Sequence, residues 1–220
     1  MEQVYQSLVA RALQIRQHHQ STTPPSKRVI IALTGPPGSG KSTIAATVVA
    51  RLNALGTPSF AIALSMDGFH YPKTYLDGLP NREEAYARRS AHWTFDSAGV
   101  LHLVKALHLS ETNEREVIEA PHFDHGFGDP VSVVILEGNY LAYDLAPWSE
   151  IVNYVDDTWF VEVDIGVMKQ RIAKRHLQSG IERTWDDATR RAESNDVLNG
   201  VEIQRNLIQP AVIVQSVDEP

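Results

Sequence analysis

The segment from residue 35 to residue 43, GPPGSGKST, has the composition and spacing of a loop that binds phosphate groups. Backbone N–H groups of such a glycine-rich turn donate to phosphate oxygens, Lys41 can reach the outer phosphates, and the Ser42 hydroxyl can bind Mg²⁺. A surface turn rich in glycine and proline is the alternative, but it leaves Lys41 unexplained. We therefore predict a nucleoside triphosphate site formed by Gly35, Pro36, Pro37, Gly38, Ser39, Gly40, Lys41, Ser42 and Thr43.

A carboxylate, Asp67, follows a segment at residues 59–65 that is typical of a strand. At the edge of a sheet that carries a phosphate-binding loop, an acid can orient an acceptor hydroxyl and accept its proton during phosphoryl transfer. We assign Asp67 this catalytic role, together with Lys41. A turn closed by the Asp67 side chain before Gly68 is the alternative. His70 is a rival base that we assign to substrate contact, and a plain loop histidine is equally compatible with the sequence.

A second carboxylate, Glu137, directly follows the apolar run VVIL at residues 133–136. Enzymes with this type of phosphate loop use an acid in this position to hold Mg²⁺, opposite the loop hydroxyl. We predict that Glu137 and Ser42 are the metal-binding residues, and a solvated residue at the end of a strand is the alternative to this role for Glu137. Gly138, which follows, fits a close approach of the backbone.

The segment at residues 120–130, APHFDHGFGDP, is unusually rich in histidine, aspartate and aromatic residues. Aromatic faces beside hydrogen-bonding imidazoles and carboxylates suit a polar organic acceptor, so we predict substrate binding by His122, Phe123, Asp124 and His125. A metal site is one alternative, although the spacing matches no zinc pattern. A loop with only a structural role is the other. The two histidines are the only possible cations of this segment, which favours a neutral acceptor over a highly phosphorylated one.

Two arginines, Arg171 and Arg175, lie four residues apart in a basic helical segment at residues 167–178. At this spacing they share one face of a helix, and a glycine follows at position 180. Such a helix suits a lid that closes over a triphosphate and stabilises the transferring phosphoryl group. We assign both arginines a catalytic role, and an ordinary solvated helix face is the alternative.

The elements that must position these residues alternate between strand-like and helix-like patterns. The N-terminal helix is predicted from the apolar residues at positions 4, 8, 12 and 15, and it ends in a polar stretch at residues 17–26 that places His18 and His19 in a solvated linker. The strand-like segments are residues 29–33, 59–65, 117–120, 131–136, 158–163 and 211–214. The helical segments are residues 44–55, 82–90, 97–109, 147–154, 167–178 and 184–197. Residues 195–200 are predicted to form a helix end and a turn.

This alternation predicts an α/β fold, a three-layer α/β/α sandwich around a mainly parallel five-stranded sheet with a small helical lid. We expect one domain over residues 1–220, with an N-terminal helix and linker at 1–26, a core at 29–165, and a lid and following helix at about 166–200. Ligands bind at the carboxyl ends of the strands in folds of this kind.

Composition excludes several classes of protein. The chain has 220 residues with 20 basic and 27 acidic side chains, and its formal net charge of -7 provides no general attraction for nucleic acid or an anionic membrane. It contains no cysteine, which excludes disulfides and thiolate chemistry. Neither a signal-peptide core nor an apolar run of roughly twenty residues is present. We expect a cytoplasmic protein, either a monomer or a homodimer.

Five motifs together resemble the group of uridine kinase, phosphoribulokinase and pantothenate kinase. They are GPPGSGKST, MDGFH, HWTFD, HFDHGFGDP and ILEGNYL, within a similarity that runs from about residue 29 to about residue 200. The last four look most like a uridine-kinase-like branch that includes presumed sugar kinases linked to fructose transport. The resemblance implies that Asp67 faces the acceptor hydroxyl, that Glu137 is linked to Mg²⁺, and that Arg171 and Arg175 belong to the lid.

The resemblance also implies that Phe123 and Asp124 lie in the acceptor pocket. Uridine kinases have a tyrosine followed by an aspartate–phenylalanine pair in this loop. Here Phe123 stands in place of the tyrosine and His125 in place of the phenylalanine. The uridine-binding pattern is therefore incomplete in this chain.

The leading hypothesis is a kinase that uses ATP and Mg²⁺ to phosphorylate a hydroxyl group of a small metabolite, such as a nucleoside, a sugar or a pantothenate-like alcohol. The alternative is a regulatory NTPase that acts on a protein partner, but the sequence has no guanine-reading Asn-Lys-x-Asp segment and no ABC-type signature. A catalytically dead binding module is disfavoured because Lys41, Ser42, Asp67 and Glu137 are all present.

Overall fold

A five-stranded parallel sheet forms the centre of the protein, as expected from the sequence. The structure is a computed structural model that describes residues 1–21, 28–110, 118–120 and 131–217. The strands are β1 (Val29–Thr34), β2 (Ala61–Ser65), β3 (Val133–Gly138), β4 (Asp157–Glu162) and β5 (Val212–Gln215). Their order across the sheet is β2-β3-β1-β4-β5, and every neighbouring pair is parallel.

Helices cover both faces of the sheet. They are α1 (Glu2–Ser21), α2 (Lys41–Asn53), α3 (Lys73–Asp77), α4 (Arg82–Ala87), α5 (Ser97–Leu109), α6 (Ile165–Gln178), α7 (Trp185–Arg191) and α8 (Val197–Arg205). Short 3₁₀ turns occupy Met66–Phe69, His92–Thr94 and Trp148–Tyr154, and a π-helical turn at Ala192–Asp196 joins α7 to α8. In the described ranges, no helix combines the length and the apolar character that crossing a bilayer requires.

The two apolar cores lie on opposite faces of β1, because successive side chains of a strand point to opposite sides. Ile30 and Ala32 pack with α5 in one core, whereas Ile31 and Leu33 pack with α1 and α2 in the other. All of β1 is buried, which explains its continuous apolar run. The predicted three-layer α/β/α sandwich is therefore confirmed.

The N-terminal helix is longer than predicted. Helix α1 continues to Ser21, so His18 and His19 belong to its last turn. His19 Nε2 lies 3.1 Å from Asp156 Oδ1 at the start of β4. Placing these two histidines in a solvated linker was wrong, because a tertiary contact extends the helix beyond its apolar pattern.

The strand expected at residues 117–120 is not formed by its described part. Ile118, Glu119 and Ala120 have no strand pairing, and Val117 lies outside the described residues. Ile118 and Ala120 instead pack against the core that contains α5. Their apolar character reflects burial rather than sheet pairing, which a short apolar run cannot distinguish.

The helix end and turn predicted at residues 195–200 is also wrong. The π-helical turn leads directly into α8, and Asn199 and Gly200 are buried in the first turns of that helix. A Cβ atom at position 200 would lie 2.7 Å from Met168 Sδ, so glycine permits close packing of α8 against α6. Glycine and asparagine here serve tertiary contacts, although their local preference favours a helix end.

Candidate active site

The loop between β1 and α2 has the backbone geometry of a phosphate cradle. Gly38 and Gly40 have φ angles of +73° and +91°, which side chains with a Cβ rarely adopt. Helix α2 begins immediately after Gly40, and no described side chain caps its first turn. The N–H groups at this helix end therefore remain available to an anion, which the helix dipole also attracts.

The cradle opens into a cavity of about 450 Å³. Its walls include residues 38–44 of the loop, Arg171 and Arg175 of α6, and Ser216 after β5. Ser39 Oγ is buried in the loop and has no hydrogen-bond partner in the described part of the chain. A free hydroxyl donor beside open N–H groups fits a phosphate ligand.

The register of the sheet places Glu137 beside the loop. Strand β3 lies between β1 and β2, and Glu137 is paired with Leu33 on one side and Ser65 on the other. Leu33 precedes the loop, and Ser65 precedes Asp67. Glu137 is only 7% exposed. Parallel pairing thus brings the carboxyl ends of β1, β2 and β3 to one edge of the sheet. The phosphate loop, Asp67 and Glu137 lie at these three ends.

Asp67 lies in the 3₁₀ turn that follows β2. The Ser65 hydroxyl accepts a hydrogen bond from the Asp67 N–H at 3.2 Å, so Ser65 rather than the Asp67 carboxylate closes this turn. Asp67 itself is exposed. A Cβ atom at Gly138 would lie 2.5 Å from the Met66 Cβ, and the missing side chain lets the turn lie against β3. The expected close approach at Gly138 is confirmed.

Lys41 connects these groups electrostatically. Burial lowers the pKa of its ammonium group, whereas the carboxylates of Glu137 and Asp67 oppose this shift, and the positive charge of Arg175 adds to it. Glu137, Asp67 and Arg175 therefore each lie near enough to Lys41 for their charge to act on its ammonium group. The arrangement combines two cations and two carboxylates at the mouth of the phosphate cradle.

The two arginines of α6 have different partners. Arg171 Nη1 donates to the Gly38 carbonyl at 3.0 Å and to Ser216 Oγ at 2.7 Å, and the Ser216 hydroxyl donates to the Ser39 carbonyl at 2.7 Å. Arg171 therefore ties α6 to the phosphate loop. Arg175 is exposed and is the arginine whose charge acts on Lys41.

A model of the phosphoribulokinase/uridine kinase family matches residues 30–183, which contain the phosphate loop, Asp67, Glu137 and Arg175. The chain belongs to this family. It is therefore a kinase, a phosphotransferase of a nucleotide-binding family whose acceptor is a hydroxyl group of a small molecule. The resemblance inferred from the five sequence motifs is confirmed.

Individual relatives agree with the family assignment. "Putative uridine kinase C227.14" of Schizosaccharomyces pombe is 36% identical over 221 aligned residues, which cover 96% of this chain and 90% of the relative. A "putative fructose transport system kinase" from Silicibacter sp. TM1040 has a solved structure with a TM-score of 0.75 and 30% identity, covering 94% of this chain and 98% of the other.

A third relative supports the fold alone. The structure of YFH7 from Saccharomyces cerevisiae, described as "a putative P-loop containing kinase with a circular permutation", has a TM-score of 0.79 at 23% identity, covering 98% of this chain and 99% of the other.

The kinase offers two oxygen ligands for a divalent cation, the Ser42 hydroxyl at the start of α2 and the Glu137 carboxylate at the end of β3. In the described part of the chain, no three histidine or acidic side chains are grouped to hold a metal ion by themselves. A nucleotide-bound Mg²⁺ needs few protein ligands, because phosphate oxygens and water complete its coordination. The donor set therefore fits Mg²⁺ bound with a nucleotide.

His70 is fixed in place beside Asp67 rather than free in a loop. Its Nδ1 donates to the Asp67 carbonyl at 2.9 Å, its Nε2 lies 3.1 Å from Ser90 Oγ, and its ring lies 3.9 Å from the Phe95 ring. Burial lowers the pKa of His70, which favours the neutral imidazole. Its contact with substrate stays a prediction.

Sequence reasoning missed Ser90, Arg89 and Ser216. Ser90 adopts a φ angle of +81°, and no local pattern signals this conformation for a serine. Arg89 and Ser216 reach the site through tertiary contacts with no signal in the sequence. The predicted acceptor residues His122, Phe123, Asp124 and His125 lie outside the described residues, so their role stays a prediction.

Proposed function

We propose that the protein is an ATP- and Mg²⁺-dependent kinase that transfers the γ-phosphoryl group to a hydroxyl of a small metabolite. The observation that carries this proposal is the strand register that brings Glu137 and the turn with Asp67 to the sheet edge that carries the phosphate loop. A carboxylate at this edge can accept the proton of an acceptor hydroxyl, as transfer to a hydroxyl requires.

Each of these side chains has one part in the proposed reaction. Asp67 accepts the proton of the acceptor hydroxyl while the oxygen of that hydroxyl forms a bond to the γ-phosphorus. The bond from the γ-phosphorus to the β–γ bridging oxygen breaks at the same time. Lys41 and Arg175 stabilise the negative charge on the transferring group and on the departing ADP. Mg²⁺ held by Ser42 and Glu137 would neutralise charge on the phosphate oxygens.

The sequence restricts the identity of the acceptor more than the family assignment does. The names of the relatives point to uridine and to fructose transport, whereas Phe123 and His125 depart from the uridine-binding pattern. We therefore propose a hydroxyl-bearing metabolite other than uridine as the physiological acceptor.

Release of ADP from Mg-ATP in the presence and absence of a library of nucleosides, sugars, sugar acids, sugar phosphates and pantothenate tests the proposal. We expect at least one acceptor to stimulate ADP release strongly. A rate of ADP release that no metabolite changes, but that a protein fraction raises, would instead support the regulatory NTPase.

A further inference from the structure

A second cavity of about 380 Å³ lies beside the phosphate cradle. The end of α4, the helices α6 and α7 and the π-helical turn form its walls. The polar residues that line it include Arg89, Ser90, Arg175, His176, Arg191 and Asp196. A cavity of this volume can hold a small metabolite or one end of a larger one.

Two connections join this cavity to the reaction centre. Arg175 lines both the phosphate cavity and the second cavity. Ser90 also lines the cavity, and its Oγ lies 3.1 Å from His70 Nε2. His70 Nδ1 in turn donates to the Asp67 backbone carbonyl. Arg175 therefore joins the second cavity to the phosphate cavity, and Ser90 and His70 join it to the backbone of the turn that carries Asp67.

The charges around the cavity favour an anion. Arg89, Arg175 and Arg191 contribute three guanidinium groups to the lining, and Asp196 contributes its carboxyl group. Glu182 Oε1 lies 3.3 Å from Arg191 Nη1. The side chains that line the cavity thus include more basic than acidic groups, in a protein whose formal charge is -7.

Burial and the neighbouring basic groups act in opposite directions on the Asp196 carboxyl group. Burial raises the pKa of its carboxyl group, while the charges of His176, Arg175 and Arg191 lower it. Its Oδ2 lies 3.7 Å from His176 Nε2.

Buried donors without partners also line the cavity. Arg89 Nη1, a donor in every state, and His176 Nδ1, whose role depends on the tautomer, are both buried, and neither has a hydrogen-bond partner within the described residues. Buried donors of this kind are costly unless a ligand or water accepts from them. A carboxylate or phosphate oxygen is the acceptor that a guanidinium group binds best.

The wall that carries Arg89 is held in a strained conformation. Ser90 has a φ angle of +81°, which its contacts maintain: its carbonyl accepts from Tyr140 Oη at 2.8 Å and its N–H donates to Thr94 Oγ1 at 3.0 Å. The Arg89 carbonyl accepts from Asn195 Nδ2 at 2.7 Å. Strained residues that their surroundings hold in place are concentrated at ligand sites.

We propose that this cavity binds an oxyanion group of the phosphate acceptor, a carboxylate or a phosphate, with Arg89 and Arg191 as its principal ligands. The proposal rests on the kinase function proposed above and specifies its substrate class as a hydroxyl-bearing metabolite with an acidic group. The sequence favoured a neutral acceptor because the histidines were the only possible cations of residues 120–130. The structure adds these arginines as further cations.

The competing role for these arginines is binding of the ATP phosphates. Inorganic phosphate provides a probe that separates the two roles, once the phosphate loop is filled with a non-hydrolysable ATP analogue and Mg²⁺. We expect saturable phosphate binding to this complex by titration calorimetry, and at least a ten-fold loss of affinity in Arg89→Met. Arg191→Met, at an exposed position, should show the same direction and serves if Arg89→Met does not fold.

Arg82→Met is the matched control, because Arg82 lies on α4, is exposed, and is paired with Asp77 outside the cavity. This variant should bind phosphate like the unmodified protein. Absence of saturable phosphate binding in the unmodified complex, or equal binding by the Arg89 and Arg82 variants, would overturn the proposal. Weaker binding of the ATP analogue in Arg89→Met with unchanged phosphate binding would assign the arginine to ATP and also overturn it.

Matched acceptors distinguish the source of the oxyanion and separate this proposal from the kinase function. Two series of acceptors differ within each series mainly in the acidic group. They are ribose, ribonate and ribose 5-phosphate, and glycerol, glycerate and glycerol 3-phosphate. We expect kcat/KM to be at least ten-fold higher for a carboxylate or a phosphate member than for its neutral counterpart, and Arg89→Met to reduce that preference. Equal kcat/KM for neutral and acidic members would contradict the anion site and leave the kinase function intact.

Discussion

Asp67 is the residue on which transfer to a hydroxyl depends. Its carboxylate is exposed in the turn after β2, and Ser65 rather than its own side chain closes that turn. The side chain is therefore free of a structural task in the turn and remains available to an acceptor. The sequence predicted its position because an acid directly after a strand in a parallel sheet must lie at the ligand-binding edge.

Replacing Asp67 with asparagine should remove the proton acceptor and preserve the size of the side chain. We expect kcat to fall by about 10² to 10⁴-fold, the usual contribution of general base catalysis, with ATP affinity changed by less than about three-fold. Steady-state kinetics and ATP titration of the same preparation measure both quantities. Full activity in this variant would exclude Asp67 from the mechanism.

Arg171 and Arg175 are indistinguishable in the sequence pattern but have different contacts in the structure. Both lie on one face of α6, as predicted, but only the structure reveals that Arg171 donates to the Gly38 carbonyl and Ser216. Side-chain partners far apart in the chain leave no pattern around an arginine. Spacing alone therefore identified the pair without separating its members.

Substituting each arginine with alanine tests this division. Arg175→Ala should lower kcat by about 10² to 10³-fold, because it removes charge stabilisation of the transferring phosphoryl group. Arg171→Ala should chiefly raise the KM for ATP, because the loop loses a contact that fixes its shape. Each variant is the control for the other, and identical kinetic effects would refute the separation of roles.

At the level of elements, the order of strands decides which loops meet. Parallel pairing of β3 with both β1 and β2 places Glu137 between the phosphate loop and the turn that carries Asp67. Alternation of apolar and polar segments predicted the strands and their parallel arrangement well, because burial on both faces gives continuous apolar runs. It failed at residues 118–120 and 195–200, where apolar or helix-breaking residues serve tertiary packing.

Gly138 links two elements of the site by permitting close contact. In Gly138→Ala the new Cβ would meet Met66 at 2.5 Å, so the turn with Asp67 must move. We expect a loss of about 1–3 kcal/mol in unfolding free energy, the usual cost of overpacking, together with reduced kcat. Denaturant unfolding and kinetics measure these effects.

Gly78→Ala is the control for this substitution, because a Cβ atom there meets nothing closer than 3.5 Å. The control should change stability by less than about 0.5 kcal/mol, as surface substitutions usually do. Equal stability and activity in the two alanine variants would show that the close approach of the turn to β3 is unimportant.

At the scale of the whole molecule, one ion pair anchors the N-terminal helix to the sheet. Arg11 Nε and Nη2 donate to the Asp157 carboxylate at 2.5 Å and 2.9 Å, and Trp159 Nε1 donates to the same group at 2.6 Å. The Asp157 side chain is only 3% exposed. Helix α1 covers the core beside α2, so this pair also supports the helix that begins at the phosphate loop.

Arg11→Ala should leave the buried carboxylate without its counterion. We expect a loss of about 2–3 kcal/mol in unfolding free energy, since an unpaired buried charged group costs more than a neutral one. Lys169→Ala is the control, because Lys169 and Glu193 form an exposed pair at 3.0 Å whose loss should cost less than about 1 kcal/mol. A smaller effect at Arg11 than at Lys169, by denaturant unfolding, would contradict the anchoring role.

The central claim is that the phosphate cradle, Asp67 and the neighbouring arginines transfer a phosphoryl group to a metabolite. The fate of the label from γ-³²P ATP in the presence of the acceptor library measures this directly. We predict that the label appears in an organic phosphate ester in amounts equal to the ADP formed. Label found entirely as inorganic phosphate with every acceptor, while ADP accumulates, would contradict the account.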